Sequence, residues 1–346
     1  LEELKIVMMT SFVSKTRLTK FVPFRKLTKL TLDFTETRVG SSAAITLVER
    51  FISSCWHLQE FSLAINSETY LDDLLNIFKS LTKLKKFHTL KFEALNIPLV
   101  SLFERVRIIS KISSIEKLKL NFHIIEYKMS SREYVELLTE LVKLEKLKFL
   151  ELNINFAEDI DERGPLDLPS DPIPQIRKGF KSLIQFRSNV FHLIPVSQID
   201  QVLEDLLGLL NLTDLKVSCP RSFGKTTPLH FFNSRLTRLK SIDIQLRKVD
   251  SASIGLIRQL ITEYNRGYTN FLLKLNLAFT GSQILSELKQ LVNLLRGEEK
   301  FLESLESIRV DFREYASSKS ILPTLRPLLE RAKHITQFVI YFQSFE

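Results

Sequence analysis

The chain has 346 residues, 44% of them hydrophobic and 26% charged, with a formal net charge of +9. That balance excludes global disorder and provides apolar material for a large core, while only nine glycines leave little for Gly-rich nucleotide loops or flexible linkers. Cys55 and Cys219 have no CxxC or Cys/His partner nearby, which argues against a disulfide framework or a zinc site and for a reducing, intracellular and cytoplasmic setting.

Taken in chain order, the apolar residues repeat one phrase, L-x-x-L-x-L-x-h, in which h is apolar. It reads Leu27, Leu30, Leu32, Phe34, then Leu58, Phe61, Leu63, Ile65, then Ile115, Leu118, Leu120, Phe122 and Leu147, Leu150, Leu152, Ile154. It continues through Leu212, Leu215, Val217, Cys219 and Leu239, Ile242, Ile244, Leu246. The last copies are Leu272, Leu275, Leu277, Phe279, then Leu305, Ile308, Val310, Phe312 and Ile335, Phe338, Ile340, Phe342. Weaker copies start at Leu1, Phe87 and Leu183, the last with Ser188 at an apolar position, so that twelve copies recur at spacings of 26 to 36 residues. Positions four, six and eight alternate with polar residues and predict a strand with one buried face.

Between the phrases the spacing becomes helical. Helices are predicted in the segments that begin at Ser41, Thr69, Ser131, Ser197, Ile254 and Ser282. Ser130 with Glu133 fits a capping box, and Asp250 or Ser251 fits an N-cap. The longest spacing, from Leu147 to Leu183, holds a Pro-rich insertion at 161–179, where Pro165, Pro169, Pro172 and Pro174 predict extended chain in place of a helix. Its surface offers Arg163, Pro165 and Pro169 as candidate partner contacts.

A unit of one strand and one helix cannot bury both faces alone, so successive copies must stack into a continuous core. The phrase resembles the leucine-rich-repeat family, and its period of about 30 residues resembles the ribonuclease-inhibitor-like class of that family. The resemblance spans 1–346 as a single solenoid. It implies an α/β horseshoe of about twelve repeats, with a parallel β-sheet on the concave face and helices on the convex face. One departure stands out. The family's asparagine or cysteine at the ninth position of the phrase is present as Asn66 and Asn155, whereas other copies have Thr35, Leu95, His123, Arg247 or Thr280 there. An irregular horseshoe with most of its asparagine ladder missing is therefore expected.

The resemblance places partners on the concave sheet, where positions three, five and seven of each phrase face out. The candidates are Lys91, Lys117, Lys119, Phe149, Glu151, Arg187, Lys216, Asp243, Arg309 and Tyr341. This face carries nine basic and eight acidic residues, so the excess positive charge lies elsewhere. Clusters such as Lys83, Lys85 and Lys86, or Lys143, Lys146 and Lys148, precede strands and predict a basic edge. Mixed charge on the sheet favours a protein partner, and the basic edge leaves a nucleic-acid-associated subunit as an alternative.

Catalytic chemistry finds no support in the motifs. His57, His88, His123, His192, His230 and His334 are scattered, and Pro228 interrupts any phosphate cradle after Gly224, Lys225 and Thr226. No apolar run reaches the ~18 residues of a membrane helix. The expectation is a non-catalytic scaffold or adaptor in a multi-subunit assembly, with no cofactor, no metal, no membrane span and no small-molecule substrate. A ubiquitin-ligase substrate receptor is a further alternative, by family analogy alone. Trp56 is expected to pack between the two layers. Because Leu1 already lies inside a phrase, a piece of a longer protein is expected, with both terminal strands covered by further sequence or a neighbouring chain.

Overall fold

A computed structural model describes residues 1–7, 26–35, 48, 49, 51–66, 71–125, 131–156, 179–189, 209, 211–219, 239–246, 249, 251–265, 272–279, 284–312, 318–331 and 335–342. The chain divides into two compact units, Leu1–Leu183 and Ile184–Glu346. The division falls just after the Pro-rich insertion. Of that insertion only Gly179 is described, so Arg163, Pro165 and Pro169 lie outside the described residues.

The first unit holds β1 (Glu3–Val7), β2 (Lys29–Phe34), β3 (Glu60–Ile65), α1 (Leu71–Leu81), β4 (Thr89–Ile97), α2 (Leu99–Ile109), β5 (Lys117–Ile124), α3 (Ser131–Leu141) and β6 (Phe149–Phe156). Its strands form an open, all-parallel sheet in sequence order. The register joins equal phrase positions, as in Leu30 with Phe61, Phe61 with Leu90, and Leu90 with Leu118. Alternation places these residues on one face, and each is at most 1% exposed. A fully buried leucine or phenylalanine contributes about 1.5–3 kcal/mol.

Helix α1 buries Leu74, Ile77, Phe78 and Leu81, the i, i+3, i+4, i+7 stripe of an amphipathic helix. Phe78 meets Phe92 of β4 edge to face at 5.1 Å, and Phe92 meets Phe122 of β5 at 5.7 Å. The inward side of the strands and the helix stripe are thus one core. Each helix then returns to the next strand through the same turn. Leu84, Ile112 and Leu144 plug these turns, and Phe87, Ile115 and Leu147 each donate a backbone N–H to the plug residue's carbonyl, at 3.3, 3.1 and 3.0 Å.

The second unit holds β7 (Gln185–Ser188), β8 (Asp214–Cys219), β9 (Ser241–Leu246), α4 (Ser251–Asn265), β10 (Leu272–Ala278), α5 (Ile284–Arg296), α6 (Glu299–Ser304), β11 (Leu305–Phe312), α7 (Ser318–Arg331) and β12 (Gln337–Phe342). Pairing is again parallel and sequential. Ser188 does occupy an inward position, 3% exposed, where other strands have an apolar residue.

Several expectations need correction. In β10 the inward residues are Leu273, Leu275 and Leu277, and Leu272 is 51% exposed. Against β9 the phrase is offset by two residues, since Leu272 pairs with Ser241, the third position of its phrase, and a register shift between Leu273 and Lys274 restores the spacing toward β11. Helices α2, α6 and α7 lie in segments not singled out above, although a unit of one strand and one helix calls for a helix after the phrases at Phe87 and Leu305, where α2 and α7 stand. Helix α7 even contains Pro323 and Pro327, which remove two backbone donors. Its buried Ile321, Leu325 and Leu328 lie at i, i+4, i+7 and give the segment an apolar stripe that offsets this cost. The proposed caps Ser130 and Asp250, and the segment from Ser197 apart from the buried Leu209, lie outside the described residues; α3 and α4 begin at Ser131 and Ser251.

The asparagine ladder also differs from its sequence reading. In β4, Ala94 pairs with Phe122 and Ile97 with Ile124, so Leu95 and Asn96 together oppose His123. Asn96 absorbs the bulge at φ 54°, a left-handed conformation that asparagine tolerates well. It is therefore Asn96, not Leu95, that donates to Asn66 Oδ1 at 3.4 Å, and Asn66 donates to the Thr35 carbonyl at 3.4 Å. Farther along, Asn155 reaches Asn121 Oδ1 at 3.5 Å. Side-chain links thus stand at Asn66, Asn96 and Asn155, the last reaching an outward residue of β5, while most ninth positions hold other residues.

Candidate binding surface

The outward residues of the first unit stand in rows, because parallel register places equal phrase positions side by side. One row runs Glu60, Thr89, Lys117, Phe149, and the next Ser62, Lys91, Lys119, Glu151. The ten sheet-face candidates thus fall into two groups of five, one on each unit, of which the one on β4–β6 is the denser.

At its centre the Lys117 and Lys119 ammonium groups lie 5.3 and 5.2 Å from the centroid of the Phe149 ring, within cation–π range. Lys119 also pairs with Glu151 at 2.7 Å. Two cations thus share one ring and one carboxylate. Asn153 donates to Glu151 at 3.5 Å, and Asn121 donates to Glu93 at 3.1 Å, which orients both carboxylates along the sheet. Lys91, in the same row as Lys119, is exposed and forms no ion pair among the described residues. Thr89 lies in the outward row yet is only 4% exposed, its hydroxyl held 2.9 Å from His88 Nδ1. The patch combines a held aromatic ring, paired charges and one uncompensated lysine.

The second unit places Arg187 beside Lys216 and Lys216 beside Asp243. Lys216 pairs with Asp243 at 2.9 Å, and Asn276 donates to the other Asp243 oxygen at 2.9 Å. The shifted register of β10 brings Lys274 opposite Asp243, although its ion pair goes to Glu306 at 3.0 Å. Arg309 donates to Gln337 at 3.1 Å, and Tyr341 on β12 is 45% exposed.

Lys83, Lys85 and Lys86 are all exposed in the turn that leads into β4. Trp56 is the clearest correction. Instead of packing between layers, it is 77% exposed in the turn before β3, and the adjacent Cys55 takes the buried plug position used by Leu84, Ile112 and Leu144. Extending the repeat three residues upstream of the phrase reveals this, since the positions matching Trp56 are Lys85, Ser113 and Glu145. Burial pushes the Cys55 thiol up from its usual value, with a weaker opposing effect from Ser54.

Among the described residues no group of three or more His, Cys, Asp or Glu is placed to hold a metal, and no helix is long and apolar enough to cross a membrane. Compared with known protein families the chain matches none, and it matches no curated protein.

Proposed function

We propose that this chain is a non-catalytic interaction scaffold of the leucine-rich-repeat kind, a structural or adaptor subunit whose solvent-facing strand residues receive a protein partner. On this reading the sheet lines the concave side of a horseshoe and the helices its convex side. The observation that carries it is the β4–β6 patch, where Phe149 is pinned by Lys117 and Lys119 and flanked by Glu151. Aromatic rings held rigid among mixed charges suit protein recognition, because ordering them costs little on binding and the charges select a complementary surface. The parallel sheet supplies the rigid platform.

Crosslinking of the intact protein, followed by mass spectrometry of what co-purifies, tests the proposal. A stable protein partner is expected, with crosslinks at Lys91, Lys117 or Lys119. Phe149→Ala combined with Lys117→Glu is expected to weaken retention at least tenfold while leaving the circular dichroism unchanged. Retention indifferent to these substitutions would remove the sheet face from the proposal.

A further inference from the structure

The turns that lead into β3, β4, β5 and β6 form a second surface, at the leading edge of the first unit's sheet. Backbone hydrogen bonds tie them together: His88 N–H to the Gln59 carbonyl at 3.0 Å, Glu116 to His88 at 2.8 Å, and Lys148 to Glu116 at 2.7 Å. Equivalent residues of successive turns therefore repeat at the strand spacing of about 4.8 Å. Residues 53–59, 82–88, 110–116 and 142–148 contain seven lysines and two glutamates. Lys143 is engaged by Glu140 at 2.6 Å and Lys148 by Glu116 at 2.8 Å, which draws the Glu116 carboxyl below its usual range. Lys83, Lys85, Lys111 and Lys146 are exposed and form no ion pair among the described residues.

Part of this has a structural cause. Lys83, Lys111 and Lys143 stand just past the C-termini of α1, α2 and α3, where a cation complements the helix dipole. That leaves Lys85, Lys86, Lys146 and Trp56. Lys86 leans on His57 Nδ1 at 3.3 Å, and Lys85 occupies the turn position matching Trp56 in the next repeat. The indole is 77% exposed in a turn hydrogen-bonded to the one that carries Lys85 and Lys86, so a flat ring and cations share this edge.

We infer that this edge binds single-stranded nucleic acid, with a base stacked on Trp56 and phosphates following the lysines of the neighbouring turns. The alternative occupant, an acidic protein segment, would bury the indole in an apolar surround. Among the described residues the edge offers none: the other exposed large apolar residues of this unit are Leu1, just before β1 two strands away, and Val7, Val100 and Ile125, at strand ends or a helix start. Base stacking needs only a flat ring and nearby cations, and both are present.

Trp56 is the only tryptophan in the chain, so its emission reports on this site alone. The test titrates the intact protein with a labelled single-stranded oligothymidylate and, separately, with a polyglutamate peptide. The oligonucleotide is expected to quench Trp56 emission and to bind with an affinity that falls steeply with salt, by a slope of roughly 0.7 per phosphate contacted. By anisotropy of the label, Trp56→Ala should weaken binding roughly five- to a hundredfold, the range supported by base–aromatic stacking. Lys83→Glu with Lys85→Glu, Lys111→Glu and Lys146→Glu should abolish it near 0.15 M salt. All five side chains are exposed, and circular dichroism checks that the variants fold. The inference is overturned if the oligonucleotide leaves the emission unchanged, if binding ignores Trp56→Ala, or if polyglutamate binds and the oligonucleotide does not. Phe149→Ala, on the sheet face, should leave oligonucleotide binding intact, which separates this site from the proposed scaffold surface.

Discussion

Arg105 shows how much a single residue can say against its own surroundings. It sits on the inward stripe of α2 with Leu102, Val106 and Ile109, is 2% exposed, and has Nε and Nη1 buried without a hydrogen-bond partner. Desolvation lowers its pKa to about 10, against a smaller opposing pull from Glu104. The folded value lies below the ordinary one, so the charged form is what folding penalises. The cost is present at every pH below 10 and fades only as pH rises through that value. Arg105→Met, of similar length and without charge, is therefore expected to raise the unfolding free energy by about 1–4 kcal/mol. Urea denaturation should show the same gain at pH 6 and pH 8; a loss would mean that the guanidinium has a partner in solution.

At the scale of elements, β10 offers the sharpest test of register. Leu273→Ala removes a fully buried side chain and is expected to cost about 2–5 kcal/mol, whereas Leu272→Ala should change little. Equal losses at both positions, measured by denaturant midpoints, would contradict the pairing of Leu273 with Ile242. The same strand shows where legibility ends. A period-2 pattern identifies strands wherever the flanking residues are polar, as in Lys29 to Phe34, but two adjacent leucines at 272 and 273 allow the phrase to be laid either way. Helix α2 is hidden for a related reason, since Arg105 interrupts its apolar stripe and Pro98 stands before it. Prolines hide α7. The candidate patch reads more easily. Lys119 and Glu151 hold the same phrase position, so parallel register alone makes them neighbours, and likewise Lys117 and Phe149. Trp56 does not read so directly, because its aromatic character suggests burial and only its turn position reveals exposure.

At the scale of the whole molecule, protection should follow the number of strand neighbours. Leu118 and Leu120 of β5 lie between β4 and β6 and are at most 1% exposed. Leu4 and Ile6 of β1, and Phe338 and Ile340 of β12, are only half-buried, and among the described residues each of these strands pairs with one neighbour. Hydrogen exchange is expected to be slowest in β5 and at least a hundredfold faster in β1 and β12, since local opening tracks buried contact. Uniform protection along the sheet would show that something covers the two outer strands.

The sequential pairing of the first unit carries a consequence for how such a chain can change. Each of β2 to β5 pairs with the strands of the repeats before and after it, so among the described residues no strand is inserted between sequential neighbours. Duplicating one period of about 30 residues would add a rung without re-routing the rest. The new rung would bring its own outward row on the sheet and its own turn at the leading edge. The reach of both surfaces is thus a count, inherited as a number of copies and adjustable one copy at a time.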